Sequence, residues 1–257
     1  MTVTPESVGS MVRRWRRERR LSQLDLALGA GTSTRHLSFI ENGRATPSPA
    51  MLARLGEHLD LPLRDRDHLL LAAGFAPVHG VPELDSAEMT PIRDAVRQIL
   101  DGYAPFPAIA VDGDWTMVDA NAGVWVFLEG VGSEILTPPI NALRLTLHPR
   151  GLAPRIANLA QWRGHVLGRL IRQIAATGSA GLADLYTELA AYPGGRAEPD
   201  QHSPVVPLRL RHGDHELVML SATTVFGAPH NVTTAELAIE SFLPADPETR
   251  TILSGRH

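Results

Sequence analysis

Apolar positions along the first eighty residues recur at helical spacing in short, separately punctuated runs. Val8, Met11, Val12 and Trp15 share one face of a segment reaching about Arg20, which predicts a first helix with its arginines turned outward. Ser22 stands as a cap before Gln23-Leu24-Asp25-Leu26, Asp25 sits where a capping-box partner belongs, and Gly29 or Gly31 supplies the stop. Thr32 or Ser33 caps a third helix through Leu37 and Ile40 to about Asn42, closed by Gly43. Ser48-Pro49 opens a fourth with the stripe Met51, Leu52, Leu55 and Leu59, and a fifth runs from about Arg64 to Ala73. From Ala76 to Asp85 two prolines and a glycine interrupt a stretch without periodicity. The expected organisation is an all-α domain at 1–75, a linker at 76–90 and a second domain at 91–257.

The second domain has mixed periodicity. A helix is predicted from Thr90 to about Leu100, then strands at 107–112 and 116–121 around a Gly113-Asp114 turn. A long helix follows over about 154–176, with Ile156, Leu159, Arg163, Val166, Leu170 and Ile174 as its buried stripe. A neighbouring stripe of Arg155, Asn158, Trp162, His165 and Arg169 combines an aromatic body with polar tips, as a pocket wall does; a partly solvated face would look the same. Another helix is expected at about 183–192. A hairpin then joins 205–211 to 215–226, where Leu208 and Leu210 alternate with Arg209 and Arg211. A short helix from Thr233 to about Phe242 and a polar tail complete an α+β domain with an antiparallel sheet.

Charge changes this picture more than composition does. All 24 basic residues are arginine, and although the 257-residue chain has a net charge of −4, residues 1–54 hold nine arginines against four acids, a net of +5. A basic module joined to an acidic remainder suits a polyanion partner. The chain has no cysteine, which excludes disulfides and thiol or thiolate chemistry. It has no apolar run of the ~18 residues that a membrane span requires. The arginine-rich start lacks the apolar stretch of a secretory signal, so a cytoplasmic protein with no membrane partner is expected. Eleven histidines show no metal-ligand spacing, and Ser203 and Ser221 lack the Gly-x-Ser-x-Gly elbow. No catalytic residue, metal site or cofactor is assigned, and no enzyme activity is expected.

Two short helices joined by a tight turn at 22–42 can set the second one in the major groove of DNA. With Leu37 and Ile40 inward, that helix presents Ser33, Thr34, Arg35 and Ser38, whose hydroxyls and guanidinium can meet base edges and phosphates. Gln23, at the start of the preceding helix, can reach a phosphate. The segments Arg13-Arg14-Trp15-Arg16, Leu21-Ser22-Gln23, Ala30-Gly31, Ile40-Glu41-Asn42-Gly43-Arg44 and Pro47-Ser48 together resemble the Xre/Cro-type helix-turn-helix family over about residues 7–75. That resemblance implies backbone contacts for Gln23 and Arg44 and groove contacts for Ser33, Thr34, Arg35 and Ser38. Phe39 departs from the polar residue common there.

The hairpin after the linker, followed by short helices, resembles the opening of sensory domains of the Per-Arnt-Sim type. Further along, Asn141-Ala142-Leu143-Arg144-Leu145-Thr146-Leu147-His148-Pro149, Pro154-Arg155-Ile156-Ala157-Asn158, Val225-Phe226-Gly227-Ala228-Pro229 and Glu240-Ser241-Phe242-Leu243-Pro244-Ala245-Asp246 resemble the ligand-binding domain of MmyB-like transcription regulators. Asn231 stands where that family more often has aspartate. The resemblance implies a regulator that binds double-stranded operator DNA as a homodimer on two half-sites and takes a fatty-acid-like small molecule. Such an apolar or amphipathic ligand needs a cavity, for which Trp115, Val118, Trp125, Phe127, Leu143, Leu145, Trp162 and Phe226 are the expected lining. His148, Arg155, Asn158 and His165 are the expected partners of its head. A scaffold that recruits a protein through the second domain, without a small molecule, is the alternative.

Overall fold

The computed structural model describes residues 6–195 and 205–255, so Ser203 lies outside it. The chain divides into two compact units, residues 1–82 with 229–235, and residues 83–228 with 236–257.

The first unit is a helical bundle in which capping chemistry sets most of the boundaries. Ser7 caps α1 (Val8–Glu18), which stops short of Arg20 because Arg20 adopts φ 56°. The predicted box closes α2 (Gln23–Gly29): Ser22 Oγ accepts from Asp25 N, and Asp25 accepts from Ser22 N. Gly31, at φ 63°, makes the left-handed stop before Ser33 caps α3 (Thr34–Glu41). Ser48 caps α4 (Pro49–His58), and α5 (Leu63–Ala72) completes the set. Trp15, Leu26, Leu37, Ile40, Leu52, Leu55 and Leu69 are fully buried between the helices. α1 lies hard against the end of α3, since a Cβ on Gly9 would fall 2.3 Å from the Ile40 carbonyl oxygen.

Residues 76–82 carry no periodicity, yet they are pinned. Asp67 accepts the backbone N–H groups of Val78 and His79, and His79 Nδ1 lies 2.9 Å from its Oδ1. Val232 N donates to Gly80 O and Thr233 Oγ1 to Pro82 O, which joins 229–235 to this unit.

The second unit is α+β. Its elements are α6 (Thr90–Tyr103), β1 (Ala108–Val111), β2 (Met117–Ala120), α7 (Trp125–Leu128), α8 (Ala142–Leu147), α9 (Leu159–Thr177), α10 (Ala180–Ala191), β3 (Leu208–His212), β4 (His215–Val225), α11 (Val232–Glu236, shared with the first unit), β5 (Ala238–Pro244) and α12 (Pro247–Leu253). The strands form one antiparallel sheet in the order β2-β1-β5-β4-β3. Alternation along β1 sorts two cores: Ile109 and Val111 join the helices α8, α9 and α10, while Ala108 and Ala110 face α6 through Val96 and Leu100. Asn121 is buried and saturated, accepting from Ala108 N and Gly123 N and donating to Leu100 O and Phe106 O.

Three expectations are corrected here. The helix read over Thr233–Phe242 is the short α11 followed by β5. That strand is hydrogen-bonded on both sides and buried through Ile239, Glu240 and Ser241, so it shows no alternation to betray it. The long helix starts at Leu159, not near Pro154, because the chain before it is drawn onto β3. Ile156 bridges Leu210, and Asn158 accepts from Arg209 N and donates to Pro207 O. The polar tail contains α12, capped by Asp246. No helix among the described residues is long and apolar enough to cross a membrane.

Candidate DNA-reading face and ligand pocket

In the first unit, several arginines hold the fold. Glu41, at the end of α3, has a side chain with no solvent exposure. It accepts from Arg16 Nε at 2.7 Å, Arg16 Nη2 at 3.0 Å and Gln23 Nε2 at 2.9 Å. Arg13 adds a contact at 3.5 Å and donates to the Glu41 carbonyl. Burial pushes the Glu41 carboxyl up, but the bonds from Arg16 and Gln23 and the charges of Arg16 and Arg13 outweigh it and leave the group below its ordinary value. Arg19 donates to Leu59 O, and Arg54 to Ala30 O. The cluster fixes α1, α2 and α3 to one another, so the outer face of α3 is held on a rigid base.

That face carries four of the residues read as DNA contacts. Thr34 and Arg35 are exposed. Ser33 is also exposed, although its hydroxyl is engaged as the cap that accepts from His36 N. Ser38 is half-buried and accepts from Asn42 Nδ2. The Arg35 guanidinium lies 5.4 Å from the centre of the Phe39 ring, which gives the odd aromatic a supporting role. Arg44 is exposed on the loop that leaves α3. Gln23 differs from its expected use, since its amide nitrogen is committed to Glu41. Hydroxyls and one guanidinium on a fixed helix can donate to phosphate oxygens and to acceptors on base edges.

In the second unit two adjoining cavities lie between the sheet and α8–α9. They are narrow, with about 40 and 30 Å³ of room for a water-sized sphere, and are partly open to solvent. Ile109, Ala142, Thr146, Trp162 and Phe242 belong to the walls of both. The first cavity has the polar groups, with His165, Arg169, Ser221 and Glu240 beside Trp115 and Leu143. The second is lined further by Met117, Val124, Phe127, Leu128, Leu145, Leu152 and Leu208. Trp162 stacks on His165, with ring centres 5.3 Å apart. Burial, with Arg169 and Arg172 nearby, holds the His165 imidazole below its ordinary value. Arg169 pairs with the buried Glu240 carboxylate through both of its oxygens, donates to Thr223 Oγ1 and lies over the Trp115 ring.

Of the expected pocket residues, Trp115, Phe127, Trp162 and His165 therefore line these cavities, as do Leu143 and Leu145. The others are placed elsewhere. Trp125 is 61% exposed, edge-on to His212. Phe226 and Val118 pack with α6 on the opposite face of the sheet. Arg155 donates to the carbonyls of Val126, Glu129 and Arg211, and Asn158 ties α9 to β3. His148 packs edge-on to Tyr192, and its Nδ1 accepts from Arg150 N. Arg163, on the buried stripe, donates to Leu189 O and Ala190 O at the end of α10. Glu240 and Phe242 also line the cavities, although local spacing reads their segment as helix where the fold makes β5. Arg169, on the stripe shared with Trp162 and His165, joins them in the site.

The family described as MmyB-like transcription regulator ligand binding domain matches residues 92–254, and the one described as Helix-turn-helix matches residues 12–65. The HTH-type transcriptional repressor RghR of Bacillus subtilis is 39% identical over 71 residues, which are 27% of this chain and 50% of that protein. The chain thus matches half the length of this curated relative. The crystal structure of the clp gene regulator ClgR from Corynebacterium glutamicum aligns at 22% identity and TM-score 0.24, over 39% of this chain and 94% of that one.

Proposed function

The chain belongs to the MmyB-like transcription regulator family, and on that premise we propose that it is a sequence-specific DNA-binding regulator whose second domain answers to a fatty-acid-like small molecule. The observation that carries the reading is the outer face of α3. Thr34, Arg35 and Ser38 stand on a helix whose other side is locked by buried Leu37, Ile40 and Glu41. Base readout needs donors held in register, and a helix clamped at its C-terminal end by Arg13, Arg16 and Gln23 supplies that. Exposed Arg44 contributes phosphate affinity that does not depend on sequence. A homodimer would set two such helices on half-sites about one turn apart, ~34–36 Å.

The cavities beside α9 support the sensory role, having apolar walls with a few convergent polar groups. A ligand there can alter DNA affinity only by binding two states of the protein unequally, a coupling of typically ~1–3 kcal/mol. The reading is tested by selecting duplexes from a random pool with the full-length protein. Affinities of Arg35→Ala and Ser38→Ala are then measured on selected and scrambled duplexes. Loss confined mainly to the selected duplex is expected; equal loss on both would leave phosphate contact alone and contradict base readout.

A further inference from the structure

On α3, Arg35 and Phe39 stand one turn apart, on the side of the helix away from buried Leu37 and Ile40. Arg35 is exposed, and the half-buried Phe39 ring has its centre 5.4 Å from the guanidinium carbon. Ser38 and Asn42 share this face, but both are engaged. Asn42 Nδ2 donates to the Ser38 hydroxyl and carbonyl, and Asn42 Oδ1 accepts from Arg13. Among the described residues, the partly buried apolar side chains packed on the core of this unit are Val8, Leu21, Ala45, Ala73 and Phe75; Phe39 is not one of them. The centre of the outer face is therefore a cation paired with an aromatic ring that the core does not use.

Such a ring does two things. Its attraction for the guanidinium restrains a long side chain, so that less freedom is lost when Arg35 binds a partner. It also offers apolar surface on a face otherwise made of hydroxyls and one charge. The apolar group that base edges present in the major groove is the thymine methyl, and the acceptor pair that fits a guanidinium fork is guanine O6 and N7. Neighbouring bases lie ~3.4 Å apart along the duplex, so a guanidinium and a ring 5.4 Å apart can meet adjacent ones.

We propose that α3 recognises a guanine with a thymine beside it. Arg35 donates to guanine O6 and N7, while the Phe39 ring covers the methyl group of the neighbouring thymine and holds the guanidinium in place. Phe39 is thereby a specificity-determining residue, acting on one base by contact and on the other through Arg35. This rests on DNA reading by α3, proposed above, and names two of the bases read.

The test uses the full-length protein and a duplex it selects from a random pool. Deoxyuridine replaces each thymidine in turn, which removes one methyl group and keeps the base pair. Deazaguanine, which lacks the N7 acceptor, replaces each guanine. In the parent protein at least one thymine should be sensitive, with affinity falling about fourfold, as expected for one buried methyl. The guanine beside it should lose about tenfold. Phe39→Ala should weaken binding to the selected duplex, keep the parent's affinity for a scrambled one, and no longer distinguish thymine from uracil. A selected sequence with no thymine beside a guanine overturns the proposal, as does a parent protein indifferent to every uracil; neither result needs a variant to fold. A uracil penalty unchanged in Phe39→Ala also overturns it, by assigning the methyl contact to another residue. Equal loss on both duplexes in Phe39→Ala overturns it too, by reducing the ring to a folding role. If Arg35→Ala still weakens mainly the selected duplex, such failures leave base readout by α3 standing; if Arg35→Ala weakens both duplexes equally, base readout and this proposal fall together.

Discussion

Replacing Glu41 by glutamine keeps the volume of the side chain and removes its charge from a cluster closed to solvent. In the native arrangement one oxygen accepts Arg16 Nε while the other accepts Arg16 Nη2 and Gln23 Nε2. An amide offers acceptor capacity at only one of those two places, and its NH2 group must face a donor at the other. At least one charge-assisted bond is lost, about 1.5–3 kcal/mol, and Arg16, only 12% exposed, keeps a charge without a full partner. Breaking a buried pair costs about 3–5 kcal/mol; the partial exposure of Arg13 and Arg16 and the retained oxygen place this case near the low end, about 3 kcal/mol. Against a typical domain stability of about 5–15 kcal/mol, that is a large fraction. Hydrogen exchange of the full-length protein reads it directly. Core amides of α1 and α3 should exchange about a hundredfold faster, while peptides from α9 serve as an internal reference. Glu6→Gln, which removes an exposed pair with Arg14 at 3.4 Å, should change α1 exchange little. An effect of Glu41→Gln below about threefold would refute the clamp.

Other expectations follow from the same structure. Glu41 and Asp67 both titrate below their ordinary values; for Asp67, burial raises the carboxyl but the N–H groups of Val78 and His79 lower it further. Depressed folded values mean that their stabilisation is present above the unfolded values of about 3.9–4.3 and is lost as pH falls through the folded ones. The stability of the first unit against urea should fall steeply below about pH 4, and less so in Glu41→Gln; a flat profile would contradict this. Gly9→Ala should destabilise by about 1–3 kcal/mol although alanine favours helix, because its Cβ would meet Ile40 O; a stabilised variant in thermal melts would show that α1 can back away. Asn121→Ala should lower the stability of the second unit by about 3 kcal/mol or more, since its four partners, three of them buried, lose their bonds; a shift under about 1 kcal/mol would refute that role.

Much of the first unit was legible because short-range chemistry determines it. The Ser22–Asp25 box, the Ser33 and Ser48 caps and the Leu37–Ile40 pair each announce a boundary or a face within a few residues. What the arginines do was not legible. Arg13 and Arg16 count as positive charge in the sequence, but the fold joins them to Glu41 more than twenty positions away. In the second unit the stripe through Trp162, His165 and Arg169 was readable from helical spacing. Its partners Glu240 and Phe242 lie on β5, a strand paired on both sides, and local spacing cannot distinguish such a strand from a short buried helix. Arg155 and Asn158 failed as pocket residues for a related reason: contacts with β3 stop α9 short of them.

DNA reading by α3 is tested by the salt dependence of binding between the full-length protein and a duplex selected by it, repeated with Arg35→Glu and Arg44→Glu combined. Both residues are exposed, so the substitutions reverse charge without disturbing the core. The affinity should fall steeply with salt, with a log–log slope of about −0.9 per phosphate engaged, and the double variant should no longer prefer the selected duplex. A double variant that binds the same duplex with the parent's affinity and the parent's slope would contradict DNA reading by α3.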